Sequence, residues 1–202
     1  MDKLLVATYN KGKLQEIRAL LGYLPLELVT PEQVGIRLQA REDGSTYVEN
    51  ATKKAVALAD ASGLVSLADD SGLEVEALGG APGLYSARYL SMKDATDADR
   101  RAYLLANLQG KSRPWKARFR AAVAIAVPGK VVESFEGTCE GEIIPEERGT
   151  GGFGYDPVFL VEQTGSTMAE LSMAEKNRMS HRARAIMKAK PILERLVLGA
   201  TR

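Results

Sequence analysis

The run Leu64-Val65-Ser66-Leu67-Ala68 follows Gly63 and ends in Asp69-Asp70-Ser71-Gly72, and no other feature limits the fold of this chain as tightly. Apolar and small residues without polar alternation read as a buried strand, which delivers two carboxylates at its carboxyl end. Open α/β sheets bind their ligands at that edge. Adjacent carboxylates repel unless a cation, a shared proton or bound water compensates. Mg²⁺, which takes oxygen ligands and usually arrives with substrate phosphates, is the most economical compensator. The alternative is a polar turn with both carboxylates in water, since Asp, Ser and Gly are all turn residues. On the tetrapeptide alone both readings stay open.

Thr8-Tyr9-Asn10-Lys11-Gly12-Lys13 lies where a second apolar strand, Leu4–Ala7, gives way to a helix carrying Leu14, Ile17, Leu20 and Leu21 at helical spacing. A helix start offers N–H groups and the positive end of the dipole, so phosphate binds there readily. Thr8 and Asn10 add side-chain donors, Gly12 allows close backbone approach, and Lys13 adds a point charge. The segment lacks the glycine spacing and the Gly-Lys-Ser/Thr of a P-loop. Asn10 as an ordinary helix cap is the plain alternative.

Gly149-Thr150-Gly151-Gly152-Phe153-Gly154-Tyr155-Asp156-Pro157 holds four glycines in nine residues. Phe153 and Tyr155 among them are surfaces on which a planar base stacks; the alternative is a mobile surface loop with two anchoring aromatics. Further on, Ser172 and Glu175 have capping-box spacing. Ser180 is placed to cap another helix starting at His181, the only histidine. Lys176, Arg178, His181, Arg182, Arg184, Lys188 and Lys190 cluster here, which is either a solvated basic face or a polyanion site. Together the four segments point to a nucleoside triphosphate.

The remaining chain reads as strand, helix and strand up to Thr30, then a polar loop through Ser45. Thr46 and Glu49 have the spacing of a capping box that opens a helix closed by Gly63. A helix is expected over Asp97–Leu108, and β-rich runs over Arg118–Val127 and Val131–Cys139 join around Pro128-Gly129 as a hairpin. Pro191 should kink or divide the last helix. The class is α/β with antiparallel additions, hence a mixed sheet. A formal charge of +1 over 202 residues argues against a nonspecific nucleic-acid binder. One cysteine, Cys139, excludes an internal disulfide and fits a reducing cytoplasm. No stretch approaches transmembrane length.

These motifs resemble the inosine triphosphate pyrophosphatase family, which hydrolyses ITP, dITP and XTP to the monophosphate and pyrophosphate. The likeness runs from Thr8-x-Asn10-x-x-Lys13, through Ala68-Asp69-Asp70-Ser71-Gly72-Leu73, Gly79-Gly80-Ala81-Pro82-Gly83 with Tyr85-Ser86-Ala87-Arg88-Tyr89, and Gly152-Phe153-Gly154-Tyr155-Asp156-Pro157, to Ser180-His181-Arg182. It implies one domain over 1–202 with an elongated, twisted mixed sheet flanked by helices, two lobes and a site in the cleft between them, in a cytoplasmic homodimer. It also implies Asp70 as proton acceptor and Mg²⁺ ligand, with Asp69 as a supporting neighbour. Glu42 matches a metal-binding glutamate, with Glu49 as its alternative. Thr8, Tyr9, Asn10, Lys11, Gly12, Lys13, Ser71, Phe153, Gly154, Tyr155, Asp156, Lys176, His181 and Arg182 match substrate-binding positions, Phe153 as the stacking platform.

Base selection has a physical argument. Hypoxanthine and xanthine present a 6-oxo acceptor where adenine presents a 6-amino donor. Donors from Arg182, His181 and backbone N–H groups near Asp156 would pair with the oxo group and oppose adenine, a mismatch that such sites reject by factors on the order of 10⁴. The alternatives are a regulatory nucleotide-binding module, an RNA-binding protein using the basic C-terminal helix, and a pyrophosphatase for other nucleotides.

Overall fold

The computed structural model describes residues 2–199. Its strands are β1 (Lys3–Val6), β2 (Glu27–Val29), β3 (Ser66–Val75), β4 (Trp115–Val127), β5 (Lys130–Ile143) and β6 (Phe159–Val161). Its helices are α1 (Lys11–Leu21), α2 (Tyr47–Ser62), α3 (Asp97–Leu108), α4 (Met173–Met179) and α5 (His181–Gly199). The strands form one mixed sheet in the order β2-β1-β3-β4-β5-β6. β1 runs parallel to both β2 and β3, while β5 and β6 are antiparallel. The expected mixed α/β class is what the chain adopts. No helix among the described residues is long and apolar enough to cross a membrane.

The chain divides into two compact units, each with its own core. The first comprises Met1–Asp70, Ala121–Gly137 and His181–Arg202. Leu4 and Val6 of β1, Ile17 and Leu21 of α1, Leu67 of β3, Val123 and Ile125 of β4, and Ile186 and Leu193 of α5 pack as one buried cluster. Burying each such side chain stabilises the fold by roughly 1.5–3 kcal/mol. α1 packs on α5 in this unit. Gly137 lets α5 come close, because a Cβ there would stand 2.2 Å from the His181 carbonyl oxygen. The second unit comprises Ser71–Arg120 and Thr138–Ser180. Its core gathers Leu73 and Val75, Leu104 and Leu108 of α3, Trp115, Phe119, Phe159 and Met168.

The local signals explain most element ends. Asn10 caps α1 by accepting from Lys13 N at 3.0 Å, and Gly63 closes α2 with φ of 69°. Both partners of the Ser172–Glu175 capping box are made. α3 occupies the expected Asp97–Leu108, and β4 and β5 turn at Pro128-Gly129 with Gly129 at φ 84°.

Three expectations need correction. The strand does not stop at Ala68: β3 continues through Asp69, Asp70 and Ser71 to Val75. The two aspartates are held inside by cations and amides, described below, so the chain needs no polar turn there. The parallel pairing with β1 covers only Ser66 and Leu67 of β3, which leaves Asp69 and Asp70 just beyond the end of β1. The Thr46–Glu49 box is half made. Thr46 accepts from Glu49 N at 3.1 Å, but the Glu49 carboxylate takes Ser45 N and Oγ, one residue earlier. Pro191 does not divide the last helix, which is continuous over His181–Gly199. Pro191 and Met187 lie on its exposed face, where water can serve the carbonyl that proline leaves without a donor. The break falls at Ser180, as its place before His181 predicts: its extended backbone (φ −66°, ψ 155°) separates α4 from α5.

Candidate active site

The start of α1 is shaped by its own sequence. Thr8 N–H donates to the Val6 carbonyl at 2.8 Å, and Thr8 Oγ1 accepts from Asn10 N at 3.1 Å. No acidic residue occupies the first turn, so the positive end of the dipole is left for an anion. Lys11 is exposed, and Gly12 and Lys13 are half-buried. Tyr9 is exposed and its hydroxyl donates to the Leu38 carbonyl at 3.0 Å, tying this turn to the loop before α2.

Asp69 is the hub of the first unit. It is completely buried. Lys13 Nζ lies 2.7 Å from its Oδ2; Arg182 Nε donates to Oδ1 at 3.1 Å and Nη2 to Oδ2 at 3.3 Å. The remaining Arg182 nitrogen, Nη1, donates to Glu16 Oε2. Burial opposes the charge on Asp69, but Arg182 and then Lys13 override it and hold the carboxyl well below the usual range. Arg182 was expected to donate to a purine. It is 1% exposed, and its guanidinium is committed to Asp69 and Glu16 rather than presented to solvent. The Lys13 side chain, which keeps 15% exposure, runs from the start of α1 to this buried carboxylate.

Asp70, the next residue on β3, has a different setting. Asn50 Nδ2 of α2 donates to its Oδ2 at 3.0 Å, and Asn50 Oδ1 accepts from Gly44 N at 2.8 Å, which fixes the amide. Four residues along α2, Lys54 Nζ donates to the Asp69 carbonyl at 3.1 Å and forms an ion pair with Glu42. Burial pushes the Asp70 carboxyl above its ordinary value; Lys13, Lys54 and the Asn50 amide pull it back, and Glu42 adds to the rise. The two neighbouring carboxyls are thus pushed in opposite directions, Asp69 toward the anion and Asp70 toward the protonated form, a pattern that acid–base sites use. Asn50 and Lys54 escape a reading from motifs. Their one signal is that both sit on the same side of α2 as the buried Ala51, Ala55 and Leu58, where a helix ordinarily places apolar residues.

The second unit holds the glycine-rich loop. Asp156 Oδ2 accepts from Lys176 Nζ at 2.7 Å and from Phe153 N at 3.1 Å. Both charged residues are buried, and removing one partner of such a pair costs roughly 3–5 kcal/mol. Gly152 has φ of 75°, and a Cβ there would stand 2.0 Å from Asp156 Oδ2 and 2.4 Å from Lys176 Nζ. Only glycine lets the loop close over this pair. Phe153 and Gly154 are half-buried. Tyr155 is not a stacking surface: it is buried in the core, and its hydroxyl donates to the Ser86 carbonyl at 2.9 Å. Nor is the loop loose, since Gly151 N donates to the Ala169 carbonyl at 3.0 Å. Ser71 is half-buried on β3, and His181 is buried as the first residue of α5.

Among the described residues, no group of three or more His, Cys, Asp and Glu side chains gathers to hold a metal. Mg²⁺ requires no such cage, because it takes one or two carboxylates and completes its shell with water and phosphate oxygens. Asp70 and Glu42 are carboxylates close enough for the charge on Glu42 to raise Asp70. This hard-oxygen donor set fits the ion. Glu49, bound to Ser45 at its own helix cap, is not part of the set.

A family model described as the Ham1 family matches residues 4–192. The dITP/XTP pyrophosphatase of Geobacter sulfurreducens is 49% identical over 189 residues, which is 92% of this chain and 94% of the relative. That of Thermus thermophilus is 48% identical over 187 residues, 91% of this chain and 88% of the relative. A solved HAM1 protein from Coxiella burnetii superposes with a TM-score of 0.85 at 38% identity, covering 96% of this chain and 99% of its own. The Staphylococcus aureus Ham1 protein gives 0.83 at 35%, covering 96% and 98%. These matches bear out the family resemblance carried by the motifs. Because the match runs through β1, both buried ion-pair clusters and the glycine-rich loop, the chain belongs to the Ham1 family.

Proposed function

We propose that this protein hydrolyses non-standard purine nucleoside triphosphates (ITP, dITP and XTP) to the monophosphate and pyrophosphate. The observation that carries the reading is the contrast between two neighbours on β3: Asp69, gripped by Arg182 and Lys13, beside Asp70, whose carboxylate the Asn50 amide orients and whose carboxyl burial raises. The names of the relatives, dITP/XTP pyrophosphatases, point the same way. In this reading the α1 start, with Thr8, Asn10, Gly12 and Lys13, takes the phosphate chain. Asp70 accepts the proton of a water that adds at the α-phosphorus. The bond to the bridging oxygen breaks, and pyrophosphate leaves with its charge facing Lys13 and the helix dipole. Asn50 orients the Asp70 carboxylate, and Ser71 lies next to it on the substrate path.

Asp70 and Glu42 would hold Mg²⁺, which when bound supplies Lewis-acid charge stabilisation at the phosphates. Lys54 holds Glu42 in place beside Asp70. Phe153 offers a ring for the base, and the buried Lys176–Asp156 ion pair fixes the loop that carries it. The homodimer and the cytoplasmic location belong to this reading through the family resemblance. Steady-state turnover of ITP, dITP, XTP, ATP and GTP tests it. The reading requires the first three to exceed ATP and GTP by orders of magnitude, and comparable turnover of ATP would end it.

A further inference from the structure

Two side chains one turn apart on α3 hold both backbone polar groups of one residue of the glycine-rich loop, and so the two peptide units that meet at its Cα. Asp97 Oδ2 accepts from Gly154 N at 2.7 Å. Arg101 Nη1 donates to the Gly154 carbonyl at 2.9 Å. Arg101 is itself fixed by a two-pronged pair with Glu147, Nε to Oε1 at 2.8 Å and Nη2 to Oε2 at 2.9 Å. Glu147 stands at the entrance of the loop, so the clamp ties loop, loop entrance and α3 together. Gly154 is at φ 62°, a backbone state that would interconvert readily in a free glycine. The residue held this way sits between Phe153, whose ring is half-buried, and Asp156, whose buried carboxylate anchors the loop through Lys176 and Phe153 N.

We infer that Asp97 and Arg101 are positioning residues that set base recognition by locking the backbone on both sides of the Gly154 Cα, and so the angle of the Phe153 ring, without touching nucleotide. The inference rests on the proposed nucleotide activity for its kinetic arm only. Bonds to charged groups are the stronger class of protein hydrogen bond, and a loop fixed in advance does not lose its freedom on binding. Asp97 Oδ1 also pairs with Arg100 Nη2 on α3. The start of α3 is nonetheless held by the reciprocal Thr96–Asp99 capping box, so Asp97→Ala removes the clamp and this one pair while the helix keeps its cap, and Arg101→Met removes the clamp with the Asp97–Arg100 pair left in place.

The test compares Asp97→Ala with Asp97→Asn, whose amide oxygen still accepts from Gly154 N–H, and with Arg101→Met. Hydrogen–deuterium exchange on the ligand-free protein needs no nucleotide. Exchange across 149–157 should accelerate about tenfold or more in Asp97→Ala and Arg101→Met and stay near wild type in Asp97→Asn. In kinetics, the Ala and Met variants should raise KM for ITP by about tenfold while kcat changes less than about threefold, the cost of one charge-assisted bond. Inhibition by tripolyphosphate, which has phosphates but no base, should be unchanged. Unaltered exchange in Asp97→Ala, or weakening of tripolyphosphate in step with ITP, would overturn the inference. A wild-type protein that does not turn over ITP would defeat the nucleotide activity instead, and the exchange result would still decide the clamp.

Discussion

The Arg182 guanidinium lies fork-on to the Asp69 carboxylate, Nε to Oδ1 at 3.1 Å and Nη2 to Oδ2 at 3.3 Å, with both side chains almost fully buried. Lys13 closes on Oδ2 from α1 and Glu16 takes the last guanidinium nitrogen. Two cations and two carboxylates therefore balance one another where water has been excluded. Such a cluster gives little net stability when complete but is costly to break.

Asp69→Asn should accordingly destabilise the protein by roughly 3–5 kcal/mol at neutral pH, because Arg182 and Lys13 are left in excess of Glu16. The pH dependence has a definite sign. The folded carboxyl is depressed, so its contribution is present above the unfolded value of about 3.9 and is lost as pH falls toward the folded value. Urea denaturation of both proteins at pH 7 and near pH 3 measures it: the gap should be widest at pH 7, smaller by about 1 kcal/mol near pH 3, and should keep closing as the pH falls further toward the folded value.

Asp70→Asn should do the opposite to stability while abolishing most activity. A carboxyl raised by burial costs folding free energy above the unfolded value, so the neutral amide should raise Tm at pH 7 in the absence of metal. The gain should vanish below about pH 4, where both states of the wild type are protonated. Loss of a positioned base costs roughly 10²–10⁴-fold in rate. Thermal melts in EDTA beside kcat measurements check both halves, and an active, unstabilised variant would remove Asp70 from its role.

Asn50→Asp puts a carboxylate where an amide now donates to Asp70. The new charge disfavours ionisation of Asp70 and raises its pKa further. Since the base must be deprotonated, the acid limb of the kcat/KM profile should move to higher pH. A full pH–rate profile of the variant and the wild type reads the shift directly.

Gly152→Ala tests the closeness of the loop to the Asp156–Lys176 pair. A methyl group would sit 2.0 Å from Asp156 Oδ2 at a φ of 75°, so the loop must open or the ion pair must part. KM for ITP should rise by about tenfold or more, with a stability loss of about 1–3 kcal/mol from the strained backbone, both measurable in one purified variant.

The helices were legible in the sequence because their ends are written in local chemistry: Asn10, Thr46 and Ser172 as caps and Gly63 as a left-handed stop. β3 was legible only to Ala68. Its continuation depends on Asp69 and Asp70 finding partners in Arg182 and Asn50, which lie 113 and 20 residues away in sequence. The same distance hides Arg182, which looks like a surface base-binding residue until Glu16 and Asp69 are seen to enclose it. Tyr155 and Phe153 cannot be told apart by pattern, and only the core that receives Tyr155 separates them. Asn50 and Lys54 carry no motif at all, since a polar residue on an apolar helix side gains meaning from what faces it.

The most direct test of the central claim is the identity of the first product. Incubation of the protein with ITP and Mg²⁺, with pyrophosphate and orthophosphate separated at early times, should give IMP and pyrophosphate in equal amounts and no orthophosphate, with ATP turned over far more slowly. IDP and orthophosphate as first products, or ATP consumed as fast as ITP, would contradict the account.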